Sequence, residues 1–201
     1  MAYRQRGGIG CFGTLVLIGI AAWGLWQGAL WVWDAVAPDH GSHDALVAEE
    51  QLSEVCHKTY YPDGHERTAL PPHPLLLFWV DGSGSPLTLW LTAADEISED
   101  QARRAWSPDP VNVELVGCME RSDDSTKISS CSYEGGGSVP VKAGVYEIVI
   151  REIRTRAEMA TVQVTGSEYD CPTFRSGHGG TLYALPAADD VYAALRPYVE
   201  N

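Results

Sequence analysis

Residues 9–33 form a run of 25 positions with no ionisable side chain except the thiol of Cys11. At about 1.5 Å per residue a helix of this length exceeds the roughly 30 Å hydrocarbon layer of a bilayer, so it spans one with some tilt. Arg4 and Arg6 precede the run, whereas Asp34, Asp39, Asp44, Glu49 and Glu50 follow it. The basic flank stays on the cytoplasmic side, which predicts a cytoplasmic tail (1–8), a transmembrane helix (9–33) and an extracytoplasmic remainder. Trp23, Trp26, Trp31 and Trp33 gather toward the outer end, where indole rings sit at the level of the headgroups.

A cleaved export signal is the competing reading, because Ala35-Val36-Ala37 has the small-x-small form that signal peptidase accepts. The apolar run is longer than the usual signal core, and Pro38 would follow the cut with a fixed φ and no N–H, so a retained single-pass signal-anchor is expected. Nearly all of the apolar run follows Cys11, whereas in a lipoprotein signal it comes before the cysteine, so Cys11 is not a lipoprotein cysteine. Gly24 and Gly28, with Gln27 between them, form a G-x-x-x-G pattern that would bring two such helices together as a homodimer, although this pattern is also common in unpaired membrane helices. Membrane lipid, reached through the anchor, is the one partner this segment names.

The remainder holds 12 basic against 27 acidic residues once Arg4 and Arg6 are set aside. Such a surface repels phosphate backbones, so no nucleic acid is expected as a partner. Residues 34–55 are acidic and mostly polar, and read as a stalk; Ala45, Ala48, Leu52 and Val55 would share one side of a short helix after Ser42. From Cys56 the pattern turns to strands. Leu75 to Val80, a glycine turn over Asp81 to Pro86, and Leu87 to Leu91 make a hairpin. Ser98-x-x-Gln101 is a capping box for a short helix ending near Trp106.

Val111, Val113, Leu115 and Met119 alternate with Asn112, Glu114 and Glu120, which predicts a strand with one buried face. Asp123-Asp124-Ser125 is expected to turn the chain back through Lys127 to Tyr133, and Gly135-Gly136-Gly137 to turn it again. A strand through Tyr146, Ile148 and Ile150 then closes a hairpin near Thr155 and returns over Met159 to Thr165. The expected fold is mainly β (α+β): an antiparallel meander in a domain of residues 56–201. The first hairpin and a C-terminal helix, about Asp189 to Arg196 with Val191, Ala194, Leu195 and Tyr198 on one side, would cover it.

Cys56, Cys118, Cys131 and Cys171 lie on the exported side, and an even count in an oxidising compartment reads as two disulfides. Three pairings are open. Cys118 and Cys131 flank the turn expected at Asp123 and would face each other across it, leaving Cys56 for Cys171. Zinc would call for close pairs such as C-x-x-C, which are absent. Cys56 beside His57 is a thiol–imidazole neighbour, yet adjacent strand residues point to opposite faces.

No constellation of catalytic type stands out. His40 and His43, between Asp39 and Asp44, are metal-type ligands in a polar stalk, where adventitious binding is the plainer reading. His57, His65 and His73 recur every eight residues, a spacing that fits no single helix or strand face. Arg175-Ser176-Gly177-His178-Gly179-Gly180 offers a hydroxyl, an imidazole and glycine backbone N–H groups in one loop. Ser176 and His178 are close in sequence, with no nucleophile elbow and no third member. Neither a metal nor a cofactor is expected, since P-loop, dinucleotide, EF-hand and zinc-peptidase signatures are missing.

Leu115-Val116-Gly117-Cys118, Cys131-Ser132-Tyr133, Gly166, Cys171-Pro172 and Leu195-Arg196-Pro197-Tyr198-Val199 together make a C…C-x-Y…G…C-P…L-x-x-Y-V pattern. In this the chain resembles uncharacterised bacterial membrane-anchored or exported proteins over residues 70–200. The resemblance implies an address and a fold, with no activity to carry over. Where such sequences have Thr-Gly at the hairpin tip, this one has Thr155-Arg156. The function expected is that of a membrane-anchored binding or envelope-assembly module with a protein partner. The alternative is an envelope hydrolase using Ser176 and His178.

Overall fold

The computed structural model describes residues 38–80, 87–89, 98, 100, 102–133, 137–172 and 180–201. The apolar segment 9–33 and the loop 173–179 lie outside the described residues, and no helix among those described is long and apolar enough to cross a membrane.

Residues His40–Asn201 make one unit around a six-stranded sheet. In chain order its parts are β1 (His40–Gly41), α1 (Glu49–Ser53), a 3-10 turn (Glu54–Cys56), β2 (Thr59–Tyr60), β3 (Leu75–Trp79), β4 (Leu87–Leu89), a π-helical turn (Ala102–Trp106), a second 3-10 turn (Pro110–Asn112), β5 (Leu115–Ser132), β6 (Ser138–Glu152), β7 (Glu158–Thr165), β8 (Leu182–Ala184) and α2 (Ala188–Val199). The sheet order is β4-β3-β5-β6-β7, with β8 beside β6; β1 and β2 form a separate parallel pair. The mainly β, α+β class is as expected. The purely antiparallel meander is not, because β3 lies parallel to β5 and β8 parallel to β6.

The first hairpin, β3–β4, forms in the expected place, with Leu77 opposite Leu89 and Trp79 opposite Leu87. It extends the sheet in its own plane rather than covering a face. The expected turn at Asp123-Asp124-Ser125 does not occur: β5 runs straight through it as one strand of 18 residues. The turn-forming residues are absorbed as register shifts between Arg121 and Asp123, Asp124 and Lys127, and Lys127 and Ser129. An extra residue in one strand bends and twists a ladder without ending it, which is why turn chemistry alone misplaces the reversal. The chain does reverse between Tyr133 and Gly137, where Tyr133 N–H donates to Gly137 O over 2.9 Å.

Side chains alternate across the sheet with period two, and both faces are covered. Leu75, Leu77, Leu115, Met119, Tyr146, Ile148, Ile150 and Val164 meet Ala105, Trp106 and, from α2, Val191, Tyr192, Leu195 and Val199 on one face. Leu76, Phe78, Val116 and Cys118 meet Leu46, Leu52, Val55 and Tyr61 from the N-terminal segment on the other. Fully burying each such side chain contributes about 1.5–3 kcal/mol, so both covers belong to the core.

Two sequence expectations change accordingly. The stalk does not extend to residue 55: Leu52 and Val55 are fully buried, so the segment from His40 onward is a layer of the fold. Val111 is exposed, while residues 113–119 are buried without a break, because a doubly covered strand hides both its faces. The C-terminal helix is longer than expected and carries Pro197 in its last turn. Glu200 Oε1 accepts from Trp106 Nε1 at 3.3 Å and Tyr192 Oη at 3.0 Å, tying the end of the chain to the π-helical turn.

Candidate functional site

Two disulfides close the unit, Cys56–Cys118 and Cys131–Cys171. All four cysteines from residue 56 onward are therefore bonded, in a pairing other than Cys118 with Cys131. Cys118 cannot face Cys131, because the missing turn leaves both on β5. Cys56 instead ends the N-terminal cover and bonds through the sheet face to the central strand. As a disulfide it offers no nucleophilic thiol to His57. Its bridge forms one wall of an open pocket of about 350 Å³, with Val80, Glu120, Glu147, Val149 and Arg151 on the others.

The second cavity, of about 400 Å³, brings together residues that are remote in sequence: His43, Asp44, Leu46, Val47, Asp63, His65 and Val111 among others. His43 comes from the loop after β1, Asp63 and His65 from the turn after β2. His43 Nδ1 donates to Asp63 Oδ2 at 2.6 Å. His65 Nδ1 donates to Glu66 O at 3.1 Å and stands 3.5 Å from Glu114 Oε1. A backbone carbonyl only accepts, so Nδ1 of His65 carries the proton and a neutral ring keeps its lone pair on Nε2. The same holds for His43 against an ionised Asp63.

Behind His65 lies a buried polar contact. Glu114 Oε2 accepts from His73 Nδ1 at 2.8 Å, and the two side chains are 2% and 4% exposed. The surrounding backbone holds them. Pro74 O accepts from Glu114 N–H at 2.9 Å, Val199 O accepts from His73 N–H at 2.8 Å, and Ile153 N–H donates to Glu114 O at 3.2 Å. The pair thus joins the starts of β3 and β5 to the end of α2. A buried carboxylate and imidazole satisfy one another where either alone would be costly.

The candidate residues read from the sequence are scattered around this cavity, and no nucleophile stands among the lining residues named. Of the metal-type ligands read from residues 39–44, His40 contacts Thr59 Oγ1 at 3.0 Å and Asp44 accepts from Ser42 Oγ at 2.9 Å. Among the described residues no group of three His, Cys, Asp or Glu could hold a metal ion. His57 is exposed and apart, whereas His65 and His73 converge on Glu114. Glu114 escaped notice because it sits where alternation assigns the solvent face; the eight-residue recurrence of histidine was the only hint. Ser176 and His178 lie outside the described residues; the loop re-enters the fold at Gly180, whose φ of 102 suits glycine alone.

No protein-family model, curated protein or solved structure matches this chain.

Proposed function

We propose that this chain is a single-pass membrane-anchored protein whose residues 40–201 act outside the reducing cytoplasm by binding a protein partner in an envelope assembly. The observation that carries the reading is the pair of disulfides closing separations of 62 and 40 residues. Such bonds persist in oxidising compartments and are rare where thiols are kept reduced. The charge asymmetry about residues 9–33 supports the same orientation. The cavity of His43 and His65, beside the exposed Val47 and Val111, is a concave surface with both apolar and polar groups, as binding sites have.

Fractionation of cells producing the full chain, with thiol alkylation before and after reduction, tests this. The expected result is a membrane-bound chain that resists alkaline extraction and offers one alkylatable cysteine of five under denaturing, non-reducing conditions. Recovery from the soluble fraction without detergent, with five free thiols, overturns it.

A further inference from the structure

Among the edges of the six-stranded sheet without a described partner, those of β4, β5 beyond Met119 and β7 differ in how they are protected. β4 is three residues long. β5 beyond Met119 carries Arg121, Asp123, Asp124 and Lys127 and is broken by three register shifts. Shortness, charge and bulges are the devices that keep edges from pairing. β7 has one irregularity near Met159 and then runs regularly, from Ala160 opposite Ile150 to Thr165 opposite Val145. Its residues Met159-Ala160-Thr161-Val162-Gln163-Val164-Thr165 contain no charge and no proline, in a chain with 27 acidic and 14 basic residues. Thr161, Gln163 and Thr165 are exposed on one face, and Val164 is buried on the other.

We propose that the outer edge of β7 pairs with β7 of a second copy, antiparallel and centred on Val162, joining two six-stranded sheets into one. In that register Thr161 lies opposite the second copy's Gln163, Ala160 opposite Val164, and Met159 opposite Thr165. No like charges meet, and Glu158 faces Gly166, whose N–H bonds Gly144 O on the β6 side. In a two-fold antiparallel register each outward N–H meets a C=O of the second copy and each outward C=O an N–H, and the same uncharged side chains stand on both sides of the seam. The overall negative charge acts against association at long range, but is screened beyond about 8 Å at physiological salt. The proposal deepens the binding reading by naming one partner, and gains from the shared membrane because confinement raises effective concentration.

The test uses the full chain in detergent. Thr161→Cys and Gln163→Cys variants carrying different tags are mixed and oxidised, and the parent's mass is followed by light scattering. A covalent heterodimer between the two tags is expected, together with a dimeric parent. Thr161→Lys combined with Gln163→Lys sets two like-charge pairs face to face and should weaken association by roughly tenfold, with the melting temperature of the unit unchanged. Gly24→Leu combined with Gly28→Leu should leave the β7 cross-link intact. A monomeric parent, or a dimer indifferent to the lysine pair, overturns the proposal. A cytosolic chain that still cross-links would sink the membrane reading and leave this one standing.

Discussion

Glu114 and His73 each depend on the other, since both are buried and their side chains meet at 2.8 Å. Removing one partner leaves the other desolvated. Glu114→Ala is expected to destabilise the unit by about 3 kcal/mol in chemical denaturation, while Glu114→Leu with His73→Phe should recover part of that loss. Arg156 poses the opposite question, because it holds φ 58, a left-handed conformation that costs a side chain about 1 kcal/mol. Its Nε donates to Val55 O at 2.9 Å, fastening the β6–β7 turn to the N-terminal cover. Arg156→Gly trades strain against bond and should be nearly neutral, whereas Arg156→Ala loses the bond and keeps the strain. The second variant should melt lower, by roughly 1 kcal/mol of stability. Tyr146 and Tyr61 add a pH dependence. Burial raises the pKa of both phenols; Glu54 and Asp44 add to this at Tyr61, and Arg121 opposes it at Tyr146. Their hydroxyls donate to Ala184 O and Gln51 O. Folded, they keep their protons where the unfolded chain gives them up, so stability should fall as pH rises past about 10. Tyr146→Phe should flatten that alkaline limb while costing about 1 kcal/mol at neutral pH, measured by denaturant titration across pH.

The elements differ in how plainly the sequence announced them. The first hairpin, the Thr155 hairpin and the apolar side of α2 were legible because period and turn chemistry agree there: Val191 and Leu195 are buried, and Ala194 and Tyr198 pack against the same core. Asp123-Asp124-Ser125 misled because the ladder to β6 continues on both sides of it and outweighs a local preference. That one error also concealed the disulfide pairing, since strand continuity decides which cysteines can meet. Parallel pairing of β3 with β5 was invisible too, for it joins strands through a crossover rather than a turn. Each bridge encloses enough chain to contribute about 4 kcal/mol by restricting the unfolded state. Cys56→Ser with Cys118→Ser should loosen the cover over Phe78 and Val116, exposing their face to a hydrophobic dye. Cys131→Ser with Cys171→Ser should instead leave that face covered and raise amide exchange around Ser129 to Ser138. Hydrogen exchange of the two double variants distinguishes these outcomes. Gly166 belongs to the same scale: an added Cβ there would overlap the Ala184 carbonyl, because β8 passes β7 backbone to backbone. The glycine in the sequence pattern marks that close approach.

At the scale of the whole molecule, alternation described the sheet and left its second lid unseen. Residues 40–55 look like a tether by composition, and three of their sparse apolar positions, Leu46, Leu52 and Val55, are hidden by the sheet. Sparse positions suffice when a sheet supplies the other half of the contact. The histidine cavity was equally illegible, since it is assembled from this lid, the turn after β2 and the second 3-10 turn. The bond from Cys56 to Cys118 has a mechanical meaning. Tension entering from the His40 side is handed through sulfur to the middle of the sheet, and the intervening stretch, a separation of 62 residues, carries none of the load. Stretched between its ends in an optical trap, the chain would pay out its length with the loops of both bridges withheld, and a reducing agent would release two additional extensions, for separations of 62 and 40 residues.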